Sequence, residues 1–148
     1  MKNILLLVLA LLTPQALHAL DAGGDDETEL IRPAGENDLA EFLWVARPII
    51  IFADSPSDPR FLQQIEYIEA DSPALLARDV VVLTDTNPGA RLPLRQQLRP
   101  RGFMLVLIDK EGAVTQRKPL PWSVREITRA IDKTPERRRE IDERRGRH

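Results

Sequence analysis

Three short runs of large apolar residues constrain the fold of this chain more than any other feature. Residues 48–53, 80–83 and 103–108 are dominated by isoleucine, valine, leucine and phenylalanine, and each run covers only four to six positions. Uninterrupted apolar runs of this length are typical of strands that are buried on both faces. The sequence therefore predicts a sheet that other elements cover on both sides.

The segments between these runs carry helix signals. Asp58 and Pro59 suit the N-cap and the first position of a helix, and Phe61, Ile65 and Ile68 then recur at helical spacing. A helix between the first two runs would join them as parallel strands. By similar criteria, further helices are expected to begin near residues 38, 72, 93, 123 and 136.

The third run leads into a tight turn, Asp109-Lys110-Glu111-Gly112, and then a fourth strand at residues 113–118. A turn this short joins antiparallel neighbours. The element order is βαβ, a short helix and then ββα, which predicts an α/β fold with a mixed four-stranded sheet and helices on both faces. We expect this domain to span residues 38–134, with a charged C-terminal helix over residues 135–148.

The 37 residues ahead of the domain predict export. Lys2 precedes nine apolar residues at positions 4–12, and a small-residue segment ends at Ala19, as in a Sec-type signal peptide. Nine residues are too few to cross roughly 30 Å of bilayer hydrocarbon, so a membrane span is not expected. The sequence thus predicts a periplasmic or secreted protein with a signal peptide at residues 1–19. Residues 20–37 are acidic and are expected to form a flexible leader.

The absence of cysteine and the scarcity of histidine exclude several classes of function. A cysteine-free chain forms no disulfide, no thiolate metal site and no CxxC redox centre. His18 lies within the expected signal peptide and His148 is the last residue, so Ser-His-Asp catalysis and the usual zinc sites are excluded as well. No cofactor or metal is expected. A net charge of −2 gives no general affinity for nucleic acid.

Five short motifs resemble those of a known family, and together they cover most of the expected domain. They are Trp44-x-x-Arg47-Pro48, residues 77–81, Gly102-Phe103, Asp109-Lys110-Glu111-Gly112 and residues 131–138. In these motifs the chain is similar to a family of uncharacterised exported bacterial proteins, with related domains in vertebrate extracellular proteins of the sushi-repeat type. The resemblance implies a thioredoxin-like fold and specifies no activity.

The resemblance to thioredoxins also shows what this chain lacks. In thioredoxins the redox cysteines lie where residues 56–59 fall here, and a cis-proline faces them where Met104 falls. Thiol exchange requires an attacking thiolate. The resemblance therefore implies a thioredoxin-like scaffold that has lost the redox reaction.

A stripe of arginines is the first candidate binding site. Arg91, Arg95 and Arg99 follow one another at helical spacing, and Arg101 lies close behind. Guanidinium groups suit carboxylate and phosphate oxygens, so the stripe is a candidate site for an anionic glycan. The alternative is a solvated face whose positive charge complements a helix C-terminus.

A polar cluster ahead of the first long helix is the second candidate. It contains Asp54, Ser55, Ser57 and Asp58. Such residues cap helix N-termini, and paired carboxylates can also perform acid–base chemistry. Capping is the simpler interpretation. Trp44 is expected to be an aromatic residue of the core or its edge rather than a ligand platform.

These observations favour a redox-inactive binding or interaction module whose partner is an envelope protein or an anionic glycan. Two alternatives stay open. One is a non-redox hydrolase centred on residues 54–58, and the other is an envelope polyanion binder that uses the arginine stripe. The balance of these observations leans against an enzyme, and thiol redox activity is excluded because the chain has no cysteine.

Overall fold

The computed structural model describes residues 29–147, in which a five-stranded mixed sheet is covered by helices on both faces. The predicted signal peptide and residues 20–28 of the predicted leader lie outside the described residues. The strands lie in the order β1-β3-β2-β4-β5, with β1, β2 and β3 parallel and β4 antiparallel to both β2 and β5. Their bounds are β1 (Ile31–Pro33), β2 (Arg47–Phe52), β3 (Val80–Asp85), β4 (Met104–Ile108) and β5 (Val114–Lys118).

Within residues 29–147, five α-helices and two single turns of 3-10 helix accompany these strands. The α-helices are α1 (Pro59–Ala70), α2 (Ser72–Leu76), α3 (Pro93–Leu98), α4 (Val124–Asp132) and α5 (Pro135–Arg145). The 3-10 turns are Leu39–Phe42, capped by Asp38, and Pro88–Ala90. In the part of the chain that the structure describes, no helix is long and apolar enough to cross a membrane.

The prediction of four strands is wrong, because β1 adds a fifth within the segment expected to be a flexible leader. Ile31 pairs with Val82 in parallel register. The N–H of Val82 donates to the carbonyl of Leu30 at 2.7 Å, and the N–H of Ala34 donates to the carbonyl of Thr84 at 2.8 Å. Leu30 and Ala34 are buried on opposite faces of the sheet. Those two anchors order this end of the segment despite its acidic composition.

The central strand β2 shows why the apolar runs are uninterrupted. All six of its residues are buried. Ile49 and Ile51 pack on the face that α1, α2 and α4 cover, whereas Ile50 and Phe52 pack on the face that α3 and the first 3-10 turn cover. Successive side chains of a strand point to opposite faces, so a strand between two layers needs apolar residues at every position.

The sheet topology separates the two ends of β2. Because β2 and β3 are parallel, their C-terminal ends lie side by side, and residues 54–58 and Asp85 lie there. We call this side of the sheet the carboxyl end. Because β4 is antiparallel to β2, the turn between β4 and β5 lies at the other ends of these strands, near Arg47. We call this side of the sheet the amino end. The predicted cluster at residues 54–58 therefore lies far from Trp44 and α5.

Candidate functional site

The arginine stripe does not lie on one helix, because α3 is shorter than the spacing requires. Of its first three members only Arg95 lies within α3. Arg91 precedes the helix and Arg99 follows it, with left-handed φ angles of 50° and 49°. Arg101 follows in the loop before β4 and is exposed, as are Arg91 and Arg99. The predicted stripe therefore does not form on one helix face, because Arg91, Arg99 and Arg101 lie outside α3.

Arg95 is occupied within the protein. Its Nε donates to Oδ2 of Asp85 at 2.8 Å, and its Nη2 donates to the carbonyls of Ala53 and Asp85, both at 3.0 Å. The guanidinium also lies 5.2 Å from the ring centroid of Phe52. Asp85 is only 3% exposed. Arg95 therefore neutralises a buried carboxylate at the carboxyl end of the sheet.

At residues 54–58 the structure shows helix capping. Asp58 accepts a hydrogen bond from the backbone N–H of Arg60 at 2.9 Å, and its carboxylate pairs with the Arg60 guanidinium at 3.0 Å. The hydroxyls of Ser55 and Ser57 are hydrogen-bonded to each other at 2.8 Å, and Asp54 is exposed. The hydrogen bond from Arg60 lowers the pKa of Asp58. A general acid at neutral pH needs the opposite shift, so this pair supports capping rather than hydrolysis.

Trp44 lies at the surface rather than in the core. Its side chain is 71% exposed and that of Val45 is 68% exposed. Trp44 has a φ of 64°, a left-handed conformation that costs a bulky residue roughly 1–2 kcal/mol. The backbone N–H of Trp44 donates to the carbonyl of Lys110 at 2.8 Å, and this hydrogen bond attaches the loop to the turn between β4 and β5. A fixed backbone therefore presents a large aromatic side chain to solvent.

Other exposed apolar side chains accompany Trp44. Leu43, Trp44, Val45 and Leu76, all more than a third exposed, are called the Trp44 surface below. Val45 and Leu76 line a shallow cleft of about 250 Å³. A Cβ atom added at Gly112 would lie 2.9 Å from Cδ2 of Leu43, so the hairpin turn packs closely against this surface.

On the other side, Trp44 lines a charged cleft of about 340 Å³ together with residues of α5. The cleft includes two ion pairs, Lys110 with Glu140 at 2.8 Å and Arg139 with Glu111 at 2.8 Å. Trp44 therefore lines a cleft that contains charges of both signs, and its neighbour Val45 lines the other cleft.

A buried network of ion pairs supports this arrangement. Arg47, the first residue of β2, is 1% exposed and its Nη2 pairs with Glu136 and Glu140 of α5. Its Nη1 donates to the carbonyl of Arg78 at 2.7 Å. Lys110 lies 2.7 Å from Asp79 as well as 2.8 Å from Glu140. The network holds α5 against the amino end of the sheet, beside Trp44.

The two glutamates of this network differ in acidity. Burial by itself raises the pKa of Glu140, but hydrogen bonds from Lys110 and Arg137, together with the charge of Arg47, lower it to about 2. Burial raises the pKa of Glu136, and Arg47 opposes that effect only in part. Glu140 is thus firmly ionised. Oε2 of Glu136 is buried without a hydrogen-bond partner.

Sequence reasoning identified parts of this site but not the site itself. The motif Trp44-x-x-Arg47-Pro48 includes Arg47, which pairs with Glu136 and Glu140 of α5. The exposure of Trp44 and its proximity to α5 carried no signal beyond the Trp44-x-x-Arg47 motif. Within residues 29–147, no group of three histidine, cysteine or acidic side chains is arranged to hold a metal ion.

Comparisons with known proteins place the fold. A family model described as Domain of unknown function (DUF4174) matches residues 38–140. The chain is similar to the reduced 2-Cys peroxiredoxin of Plasmodium vivax, with a TM-score of 0.51, 18% identity, and coverage of 65% of this chain and 81% of that chain. It is also similar to the pneumococcal exposed lipoprotein thioredoxin of Streptococcus pneumoniae, with a TM-score of 0.51, 15% identity, and coverage of 65% and 90%. No match to a curated protein was found. At these identities the structures show the fold alone, and they confirm the prediction of a thioredoxin-like α/β fold.

Proposed function

Because the chain belongs to the family described as Domain of unknown function (DUF4174), we propose that its thioredoxin-like domain is a redox-inactive binding module, exported to the periplasm or the outside of the cell, that engages a partner protein through the Trp44 surface. The observation that carries this proposal is the 71% exposed side chain of Trp44 on a backbone with a φ of 64°. The absence of cysteine supports the redox-inactive part.

The composition of the surface supports a protein partner. Tryptophan is enriched among the residues that contribute most to binding energy, and these are commonly surrounded by a polar rim. Here Trp44 and Val45 form an apolar centre, and the ion pair of Arg139 with Glu111 lies in the charged cleft beside it. An apolar centre with charges of both signs beside it has the composition that is typical of a protein–protein interface.

The surface is also well fixed before binding. The hydrogen bond from Trp44 to Lys110 anchors the loop, and Lys110 is in turn paired with Asp79 and Glu140. Affinity rises when a binding site need not be ordered on association. The same pairs disfavour an anionic glycan here, because the cation of Lys110 is already neutralised by acids of this chain.

The other two candidate functions draw less support from the contacts. The polyanion site loses Arg95, which neutralises Asp85. The hydrolase would depend on Asp58, which caps α1 and has a lowered pKa. The hydrolase is tested by the measurement of substrate turnover described below.

A photoreactive amino acid introduced at Val45 tests the proposal in the cells that produce the protein. Leu120, 64% exposed and outside the Trp44 surface, is the matched control position. We expect one recurrent protein crosslink at position 45 that is absent at position 120 and is lost when Trp44→Ala is added. The identified partner, purified, should bind Trp44→Ala at least about tenfold more weakly than wild type and should bind Leu120→Ala equally well.

Two results would contradict the proposal. One is equal affinity of the purified partner for wild type and for a Trp44→Ala variant that melts at the same temperature. The other is turnover of a hydrolase substrate by the purified protein that Asp58→Asn abolishes.

A further inference from the structure

A separate cleft of about 350 Å³ lies between the edge strand β5 and helix α4. Gln116 and Lys118 are two positions apart on β5, so their side chains point to the same face of the sheet. This is the face on which the buried residues of α4 pack. Arg129 lies in the last turn of α4 and Lys133 is its C-cap residue, four positions later, so the two lie on one side of the helix. The topology thus brings cationic side chains from two elements into one cleft.

The cations of this cleft have no acidic partner within the part of the chain that the structure describes. Lys118, Arg129 and Lys133 form none of the ion pairs found among residues 29–147. The one acid that lines the cleft is Glu126. Its Oε2 accepts hydrogen bonds from the backbone N–H and the hydroxyl of Ser123, at 2.9 and 3.0 Å, in a capping box at the start of α4.

The favourable interaction of cations with a helix C-terminus explains only part of the positive charge in this cleft. Arg129 and Lys133 lie at the C-terminal end of α4, where positive charge is favourable. Lys118 comes from a strand and has no such reason to lie there. Like charges that line one cleft repel one another, and an anion bound in the cleft would offset that repulsion.

Lys118 is also held in place rather than free in solvent. Its Nζ lies 4.5 Å from the ring centroid of Trp122. The backbone of Trp122 is fixed by the buried amide of Gln64, which accepts from the Trp122 N–H at 2.7 Å and donates to its carbonyl at 2.8 Å. The cation therefore sits on an aromatic ring that the core positions.

We infer that this cleft binds a phosphomonoester on a small molecule. Its three cations and one acid leave an excess of two positive charges, and a phosphomonoester carries about −1.5 to −2 at neutral pH. The amide of Gln116 adds a neutral hydrogen-bonding group. A volume of about 350 Å³ lies within the range of small-molecule pockets. The inference is independent of the Trp44 surface.

Nuclear magnetic resonance titration of the full chain with glycerol 2-phosphate tests this inference at constant ionic strength and neutral pH. The indole N–H signal of Trp122 reports on the cleft, and that of Trp44 is the internal control. We expect a saturable shift of the Trp122 signal only, and an affinity about tenfold lower for Lys118→Gln or Arg129→Gln. Arg125→Gln makes the same charge change on α4 outside the cleft and should retain wild-type affinity.

Several outcomes would overturn the inference. They are the absence of a saturable shift, saturation by acetate at the same concentration as glycerol 2-phosphate, and an equal loss of affinity in Arg125→Gln and Arg129→Gln. Vesicles that contain phosphatidic acid present the same group on a membrane. Cosedimentation with those vesicles but not with phosphatidylcholine vesicles, without a shift by glycerol 2-phosphate, would overturn the assignment to a small molecule.

Discussion

The guanidinium of Arg47 is buried against the carboxylate of Glu136, a residue 89 positions later, and so joins the start of β2 to α5. Glu136 also lines the charged cleft beside Trp44. A buried ion pair contributes little net stability compared with apolar residues of the same shape, but removing one partner leaves a charge buried without compensation. The pair therefore fixes where α5 lies, and with it the border of the Trp44 surface.

Arg47→Met removes the cation and leaves Glu136 in a buried site. We expect the free energy of unfolding to fall by about 3–5 kcal/mol, measured by urea denaturation. Replacing both partners with apolar residues, in Arg47→Met with Glu136→Leu, should recover part of that loss. Arg138→Met, which changes an exposed arginine of α5, is the control. An equal effect of Arg47→Met and Arg138→Met would show that the buried pair has no special role.

Glu140 should make stability depend on pH in the acid range. Its pKa in the folded protein is about 2, against an ordinary value of 4.5, so the folded protein binds this proton less tightly than the unfolded chain does. The stabilisation is therefore complete above about pH 5 and is lost as the pH falls from about 4.5 towards 2. Glu136 acts in the opposite sense, because burial raises its pKa.

Urea denaturation between about pH 2.5 and pH 6 measures this effect of Glu140. After allowance for solvent screening, Glu140→Gln should remove about 1–2 kcal/mol of the fall in unfolding free energy across that window. Glu69→Gln, at an exposed position of α1, should leave the profile unchanged. A Glu140→Gln profile parallel to that of wild type would show that its carboxylate contributes nothing to the acid sensitivity.

The elements that the sequence predicted correctly depend on local signals. The apolar runs form β2, β3 and β4, Asp58 caps α1, and Asp109 to Gly112 form the predicted hairpin turn. Each signal lies within a few residues of the element that it specifies. The short strand β1 was missed because its three residues are ordered by pairing with β3, about 50 positions further along the chain.

The candidate site depends on contacts that a single sequence does not specify. Arg47 reaches α5 across 89 positions, and Trp44 adopts a left-handed φ without the glycine or asparagine that normally indicates one. The spacing of the arginines predicted a helical stripe, but α3 ends at Leu98 and Arg95 turns inward to Asp85. Spacing indicates a shared face only if the helix extends over the whole interval.

The three arginines of the predicted stripe should differ in their effects on stability. Arg95→Gln leaves Asp85 buried without its cation, and we expect about 3–5 kcal/mol of destabilisation. Arg91→Gln and Arg99→Gln, at exposed loop positions, should change the free energy of unfolding by less than about 0.5 kcal/mol. Thermal unfolding followed by circular dichroism measures all three. Equally small effects would mean that Arg95 behaves as one member of a solvated stripe.

Leu30 tests whether the residues at β1 belong to the domain. Its side chain is 9% exposed and packs into the core with Val82, so Leu30→Ala should cost about 2–3 kcal/mol of unfolding free energy. Leu120→Ala removes the same atoms from a side chain that is 64% exposed and should cost less than about 0.5 kcal/mol. Equal unfolding midpoints in urea for the two variants would favour the flexible leader over an ordered fifth strand.

Trp44→Gly and Trp44→Ala separate stability from binding at the same position. Both remove the exposed indole, but only glycine adopts the φ of 64° without strain. We expect the glycine variant to be more stable than the alanine variant by about 1 kcal/mol in urea denaturation, while both lose affinity for the partner protein. A glycine variant less stable than the alanine variant would show that the loop stores no strain. Loss of affinity in both variants, at either stability, would show that the indole itself makes the contact with the partner.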